Sequence, residues 1–354
     1  ISGGASFSLN DYNGGPIDEE YAKNRSLNEP LVEITQVKGT SETHPLLSKN
    51  DEWAAFEVKT GVEAEKLLSN LKGSYVRDAY LRGLTLSEKG LTNPYKFGLI
   101  GSSDAHVGGP SDTEEVFHSK VGLLDGTAEL RGSIPFNRFY GTFLKVLRPN
   151  ILKEVDGKNY FSASERLVQF AASGLAGVWA EENSRSSIYN AFRRKESFAT
   201  SGPRMTIRFF AGYELDATKI NDTDLVEHLY AFGKSMGSDL DGVAKNTPSF
   251  FVWAIRDSYT APLQRVQIIK GYVDSNGSPQ EQVFDVACSD GGSPDPVTYR
   301  CPDNNAKVDI ANCAISQDVG DAELKAFWSD PTFEVDQRAF YYVRALENPT
   351  CRWS

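Results

Sequence analysis

The hydrophobic rhythm of this chain changes once, near Arg204, and the change divides the fold in two. Upstream, short apolar or β-branched runs alternate with segments of helical spacing. Leu31-Val-Glu-Ile-Thr-Gln-Val37 and Phe97-Gly-Leu-Ile-Gly101 read as strands. Ser74 to Lys89 reads as a helix, with Val76, Ala79, Tyr80 and Leu84 on one face and Gly90 as its stop. Leu175-Ala-Gly-Val-Trp-Ala180 is a further strand, followed by a helix capped by Ser184 with Ile188, Ala191 and Phe192 turned inward. Such alternation implies an α/β architecture with parallel strands in a sheet or barrel over residues 1–204. Residues 107–173 show no clear strand and read as an insertion over the strand ends, with a short helix at Phe139 to Val146. Downstream the period is two, as in Met205-Thr-Ile-Arg-Phe-Phe210, Phe250 to Ile255 and Phe340 to Leu346, with turns such as Ser275-Asn276-Gly277. This predicts an antiparallel β-sandwich over residues 205–354. Phe209 and Phe210 are adjacent and cannot both face its core, so one is expected to pack on the α/β part.

Composition narrows the function. The 354 residues suffice for two domains, and 37 Lys+Arg against 48 Asp+Glu give a net charge of −11. With no basic run of five, a nucleic-acid backbone is an unsuitable partner. No apolar run approaches 18 residues, so no membrane span is expected. Cys288, Cys301, Cys313 and Cys351 all lie in the last fifth of the chain, among Gly, Pro and Asp, without a CxxC. An even count in such loops favours two disulfides, with three connectivities open, and an oxidising compartment. The chain opens at Ile1 without Met or a signal-peptide pattern and reads as processed, cropped or partial.

The chemistry concentrates at two strand ends. Gly98-Leu-Ile-Gly-Ser-Ser-Asp104-Ala-His106 delivers a carboxylate and an imidazole two residues apart, addressing one point if the backbone is extended. These are ligands that a borderline divalent metal accepts. Upstream, Glu33 lies within an apolar strand, where a carboxylate needs a metal or a buried lysine as partner. Lys38, Glu42 and His44 follow that strand's end. If both strands are parallel, these side chains gather with Asp104 and His106. A third segment, Thr200-Ser-Gly-Pro-Arg204, offers hydroxyls and a guanidinium for an oxyanion. Each cluster also has a plainer reading as a solvated polar loop, a helix cap or a domain junction. There is no Gly-x-Ser-x-Gly elbow and no phosphate loop of the usual spacing, which argues against a serine hydrolase or a P-loop enzyme.

Val32 to Pro45, Gly98 to His106, Gly174 to Asn183, Ala199 to Arg204 and Arg338 to Trp353 together resemble the uncharacterised DUF3604 family across nearly the whole chain. That family resembles the PHP (polymerase and histidinol phosphatase) metal-dependent hydrolases. The resemblance implies the C-terminal part of a distorted (β/α)₇ barrel followed by the sandwich, with zinc or manganese ions, two or three in the intact protein. Asp104 and His106 correspond to the final Asp-x-His ligand pair of such proteins, and Glu33 is a further metal candidate. Glu42 and His44 are expected as catalytic acid/base groups, with Lys38 and Arg204 on an anionic part of a small-molecule ester substrate, whether phosphoester or carboxylic or carbamate ester. The early His-x-His of that family is absent, and four histidines (His44, His106, His118, His228) could not build the full ligand set. The resemblance therefore implies a missing N-terminal segment as partner, and export to a periplasmic or secreted location. The alternative is a non-catalytic exported binding protein with a vestigial barrel and a glycan- or partner-binding sandwich.

Overall fold

A computed structural model describes residues 6–58, 71–113, 120–122, 125–161, 170, 172–240 and 246–351. His118 and parts of the expected insertion lie outside these. The chain is mixed α/β with several sheets, none of which closes into a barrel among the described residues.

Helix α1 (Glu19–Asn28) is opened by Asp18, whose carboxylate accepts the Tyr21 N–H at 2.8 Å. It buries only Ala22, so no apolar stripe announces it. Strand β1 (Leu31–Gln36) turns through Val37-Lys38 into β2 (Gly39–Thr40), which runs back antiparallel. Helix α2 (Val76–Glu88) then leads to β3 (Gly98–Gly101), parallel to β1 with Leu31 opposite Gly98 and Glu33 opposite Ile100. The two strands expected to lie parallel are thus neighbours. Val76, Ala79, Tyr95 and Phe97 pack with Val32 and Ile34 between helix and sheet.

Helices α3 (Ala128–Arg131) and α4 (Arg138–Leu147) precede a hairpin of β4 (Leu152–Val155) and β5 (Lys158–Phe161). The α4 helix matches expectation; the hairpin does not. Its signal was Asp156-Gly157, both at positive φ, which suits a tight two-residue turn. Strand β6 (Leu175–Val178), helix α5 (Arg185–Arg194) and β7 (Ser197–Thr200) follow. The Leu175 strand was expected in a parallel sheet, but β6 pairs with β7 antiparallel. The left-handed cap at Lys195 sends the chain straight from α5 back along β6. The ends of β1, β3, β6 and β7 meet closely because two of the residues there are glycines. A Cβ on Gly101 would lie 2.6 Å from the Leu175 carbonyl oxygen, and one on Gly174 would lie 2.8 Å from that of Thr35.

From Thr206 onward the structure is antiparallel. Its elements are β8 (Thr206–Gly212), α6 (Leu225–Phe232), β9 (Lys234–Ser235), β10 (Ser249–Ile255), β11 (Leu263–Val273), β12 (Pro279–Cys288), β13 (Val308–Asp309), β14 (Ala314–Ile315), β15 (Glu323–Ser329) and β16 (Ala339–Glu347). Sheets β15-β10-β8-β9 and β12-β11-β16 face each other over Phe209, Phe250, Val266, Ile268 and Phe284. Phe209 faces this core and Phe210 the other side, as strand alternation requires. The cover on Phe210, however, is α6 through Leu225 and Leu229, not the α/β part. Helix α2 supplies that contact instead, packing on β11 and β12.

The cysteines form two disulfides, Cys288–Cys301 and Cys313–Cys351, which selects one of the three open connectivities. Each closes a turn-rich stretch and contributes about 2–4 kcal/mol by restricting the unfolded chain. Among the described residues no helix is long and apolar enough to cross a membrane.

Candidate functional site

Beyond β3 the ladder to β1 continues into a corner. The Ser102 N–H donates to the Thr35 carbonyl at 3.0 Å, and the Val37 N–H to that of Ser103 at 3.4 Å. This fixes Lys38, the next residue of the β1–β2 turn, beside Asp104. Asp104 adopts φ +48°, a left-handed conformation that Asp tolerates better than most residues. The pair therefore does not share a face through strand pleating, as an extended backbone would require. The turn itself brings His106 Nε2 to 3.4 Å from Asp104 Oδ1.

Asp104 Oδ2 is held by two ammonium groups, those of Lys38 and, at 2.9 Å, Lys120. Burial works against the charged carboxylate, but hydrogen bonds from Lys38 and Lys120 outweigh it and hold the group down at about 2. Lys120 is buried, its ammonium also on the Asp104 carbonyl and 3.4 Å from His106 Nε2. Its backbone completes the frame: the Lys120 carbonyl accepts the His106 N–H at 2.7 Å, and Asp125 accepts the Lys120 and Val121 N–H groups at 2.8 and 2.9 Å. Sequence reasoning missed Lys120, a lone cation in the insertion with no pattern around it. The corner opens to solvent through His106, whose side chain is 60% exposed.

The remaining candidates lie elsewhere. Glu33 accepts from Gln36 Nε2 at 2.9 Å and from the Ser102 hydroxyl. Arg204 is exposed and pairs with Asp112 at 3.2 Å, in the loop that follows His106. Glu42 is carried away from the corner because β2 reverses the chain. It enters a buried network with Arg77, Arg344 and Tyr342, at 2.6, 3.1 and 2.6 Å. Asp51 joins both guanidiniums at 2.8 Å each, and Glu281 lies 3.4 Å from Arg77. These bonds tie the α/β part to β12 and β16. Burial opposes ionisation of Glu42 and Asp51, yet the two guanidiniums win, lowering Glu42 and bringing Asp51 to about 2. His44 lies in the turn before this network, buried against the Tyr75 ring at 5.6 Å, with Nδ1 accepting the Leu46 N–H at 3.1 Å.

Asp104 Oδ1 and His106 Nε2 are at the separation of two ligands on one tetrahedral cation, about 3.3 Å for bonds of about 2.0–2.1 Å. Among the described residues, no group of three or more His, Cys, Asp or Glu side chains could hold a metal ion. They supply two legs of a cation site and not a complete one.

A cavity of about 1080 Å³ runs between the α/β part and the sandwich, past Tyr80, Phe198, Phe340 and Glu347. None of Lys38, Asp104, His106 and Lys120 lines it, so this cavity and the clustered chemistry are separate features. Glu347 is raised from 4.5 to about 7, first by burial and then by Asp257, against the hydrogen bond from Thr260. The folded state therefore favours the protonated acid. Stability from this group is full below about pH 4.5 and is lost as pH rises through about 7. Glu347→Gln is expected to raise stability by about 1–3 kcal/mol at pH 8 and to change it little at pH 4. Equal effects in thermal melts at the two pH values would contradict this titration.

A family model described as "Protein of unknown function (DUF3604)" matches residues 1–354. No curated protein and no solved structure matches the chain.

Proposed function

We propose that this chain, which belongs to the DUF3604 family, is a hydrolase of ester-type bonds acting on a substrate with an anionic reacting group. One observation carries the reading: two ammonium groups share the single carboxylate of Asp104. The surplus positive charge stands out in a chain of net charge −11 and favours a phosphoester over a neutral carboxylic or carbamate ester. Lys38 and Lys120 would orient the anion. His106, exposed beside them, would hold or deliver a proton at the scissile oxygen.

The likeness of the Asp-x-His motif to PHP-type hydrolases supports a further element. Asp104 and His106 would be two of the ligands of zinc or manganese ions, with the others drawn from outside the described residues. Such an ion, when bound, supplies a Lewis acid and an acidified water. The two disulfides support an oxidising location, periplasmic or secreted. The rival reading, a non-catalytic exported binding protein, is favoured by the lysines themselves, which occupy an oxygen that a cation would need.

The test is hydrolysis of bis(p-nitrophenyl) phosphate, p-nitrophenyl phosphate and p-nitrophenyl acetate by the purified protein, with and without zinc or manganese. The expected result is turnover of a phosphoester in preference to the acetate. No turnover of any ester under any of these conditions would favour the binding protein.

A further inference from the structure

Helix α4 presents its apolar side chains to water. Phe139 is 90% exposed, Val146 78%, Leu147 60% and Phe143 57%. At about 100° per residue these four fall in one continuous arc. The opposite side is the packed one: Gly141 is buried and its backbone rests on Asn159 of β5. The β4–β5 hairpin thus holds the helix from behind and turns its apolar face outward.

Charge says what covers that face. Between residues 131 and 158 there are six basic side chains against two acidic ones, in a chain whose net charge is −11. Arg138, Lys145 and Arg148 lie on the polar side of the same helix and at its C-cap, and Lys153 and Lys158 continue the basic character onto the hairpin. Lys145 pairs with Glu154 of the hairpin. An exposed Phe/Leu/Val arc backed by Arg and Lys on the polar side is the pattern of a helix lying in the plane of a membrane interface. We infer that α4 is a membrane-surface anchor for an anionic bilayer, inserting Phe139 and Phe143 at acyl-chain level while Arg138 and Arg148 meet lipid phosphates. One such helix gives reversible attachment that weakens with salt.

Co-sedimentation of the whole protein with vesicles tests this. Binding is expected to phosphatidylcholine vesicles containing phosphatidylglycerol, and to be at least about tenfold weaker to phosphatidylcholine alone, since each surface cation contributes about 1 kcal/mol. Phe139→Ser/Phe143→Ser and Arg138→Gln/Arg148→Gln should each lower binding by about tenfold or more, with thermal melts like the parent protein because these side chains are exposed. Absence of binding, or equal binding by the parent protein and both variants, would overturn the inference. So would a concentration-dependent dimer in analytical ultracentrifugation that disappears in the Phe variant, because a second copy would then cover the face.

Discussion

Arg77→Met is expected to destabilise the protein by about 3–5 kcal/mol, because it leaves the buried Glu42 and Asp51 with one guanidinium between them instead of two. Arg77 is 1% exposed and bonds to Glu42, Asp51, Glu281, Tyr342 and Ser48 at once. Once it is removed, Arg344 alone faces Glu42 and Asp51, and Glu281 loses this partner. Arg344→Met should cost a similar amount. The double variant should cost less than the two together, because the residues share their partners. Urea unfolding followed by far-UV circular dichroism measures all three. A loss below about 1 kcal/mol for Arg77→Met would place the network among interactions that contribute nothing net. The pH dependence has a definite sign. Folding lowers both Glu42 and Asp51, so their contribution is present above their ordinary values of 4.5 and 3.8 and fades as pH falls below them, for Asp51 through about 2.

Activity should respond most at the corner. Asp104→Asn keeps the shape of the side chain but removes the charge that holds Lys38 and Lys120. His106→Ala removes the exposed imidazole. Each is expected to lower phosphoester turnover by about 100-fold or more, the usual scale for losing a positioned acid/base or charged group. His106 is exposed, so His106→Ala should change the melting temperature little, whereas Asp104→Asn should lower it, because it removes a counter-charge from the buried Lys120 ammonium. Retention of parental turnover in both variants would remove Asp104 and His106 from the chemistry.

How much of this was legible in the sequence depends on range. Local signals carried over well. The Val76, Ala79 and Leu84 spacing marks α2, the Ser184 cap opens α5, and period two after Arg204 becomes two facing antiparallel sheets. The parallel β1–β3 pair and the meeting of Lys38, Asp104 and His106 were also legible, since they follow from two strand ends. What failed depended on reversal of the chain. The two-residue β2 strand carries no pattern of its own, yet it sends Glu42 to the sandwich instead of the corner. The network partners of Glu42 lie 35 and 302 residues away, and no spacing rule reaches that far. Lys120 is hidden for the same reason: nothing local distinguishes a buried lysine from a solvated one until the fold brings it to Asp104.

The most direct test of the hydrolase reading is metal content. Protein purified without chelator, loaded with zinc or manganese and then desalted, would be measured by inductively coupled plasma mass spectrometry beside Asp104→Ala and His106→Ala. The reading predicts about one equivalent or more of metal in the parent protein and a clear fall in both variants. Metal at background in the parent protein, or equal metal in all three, would contradict it.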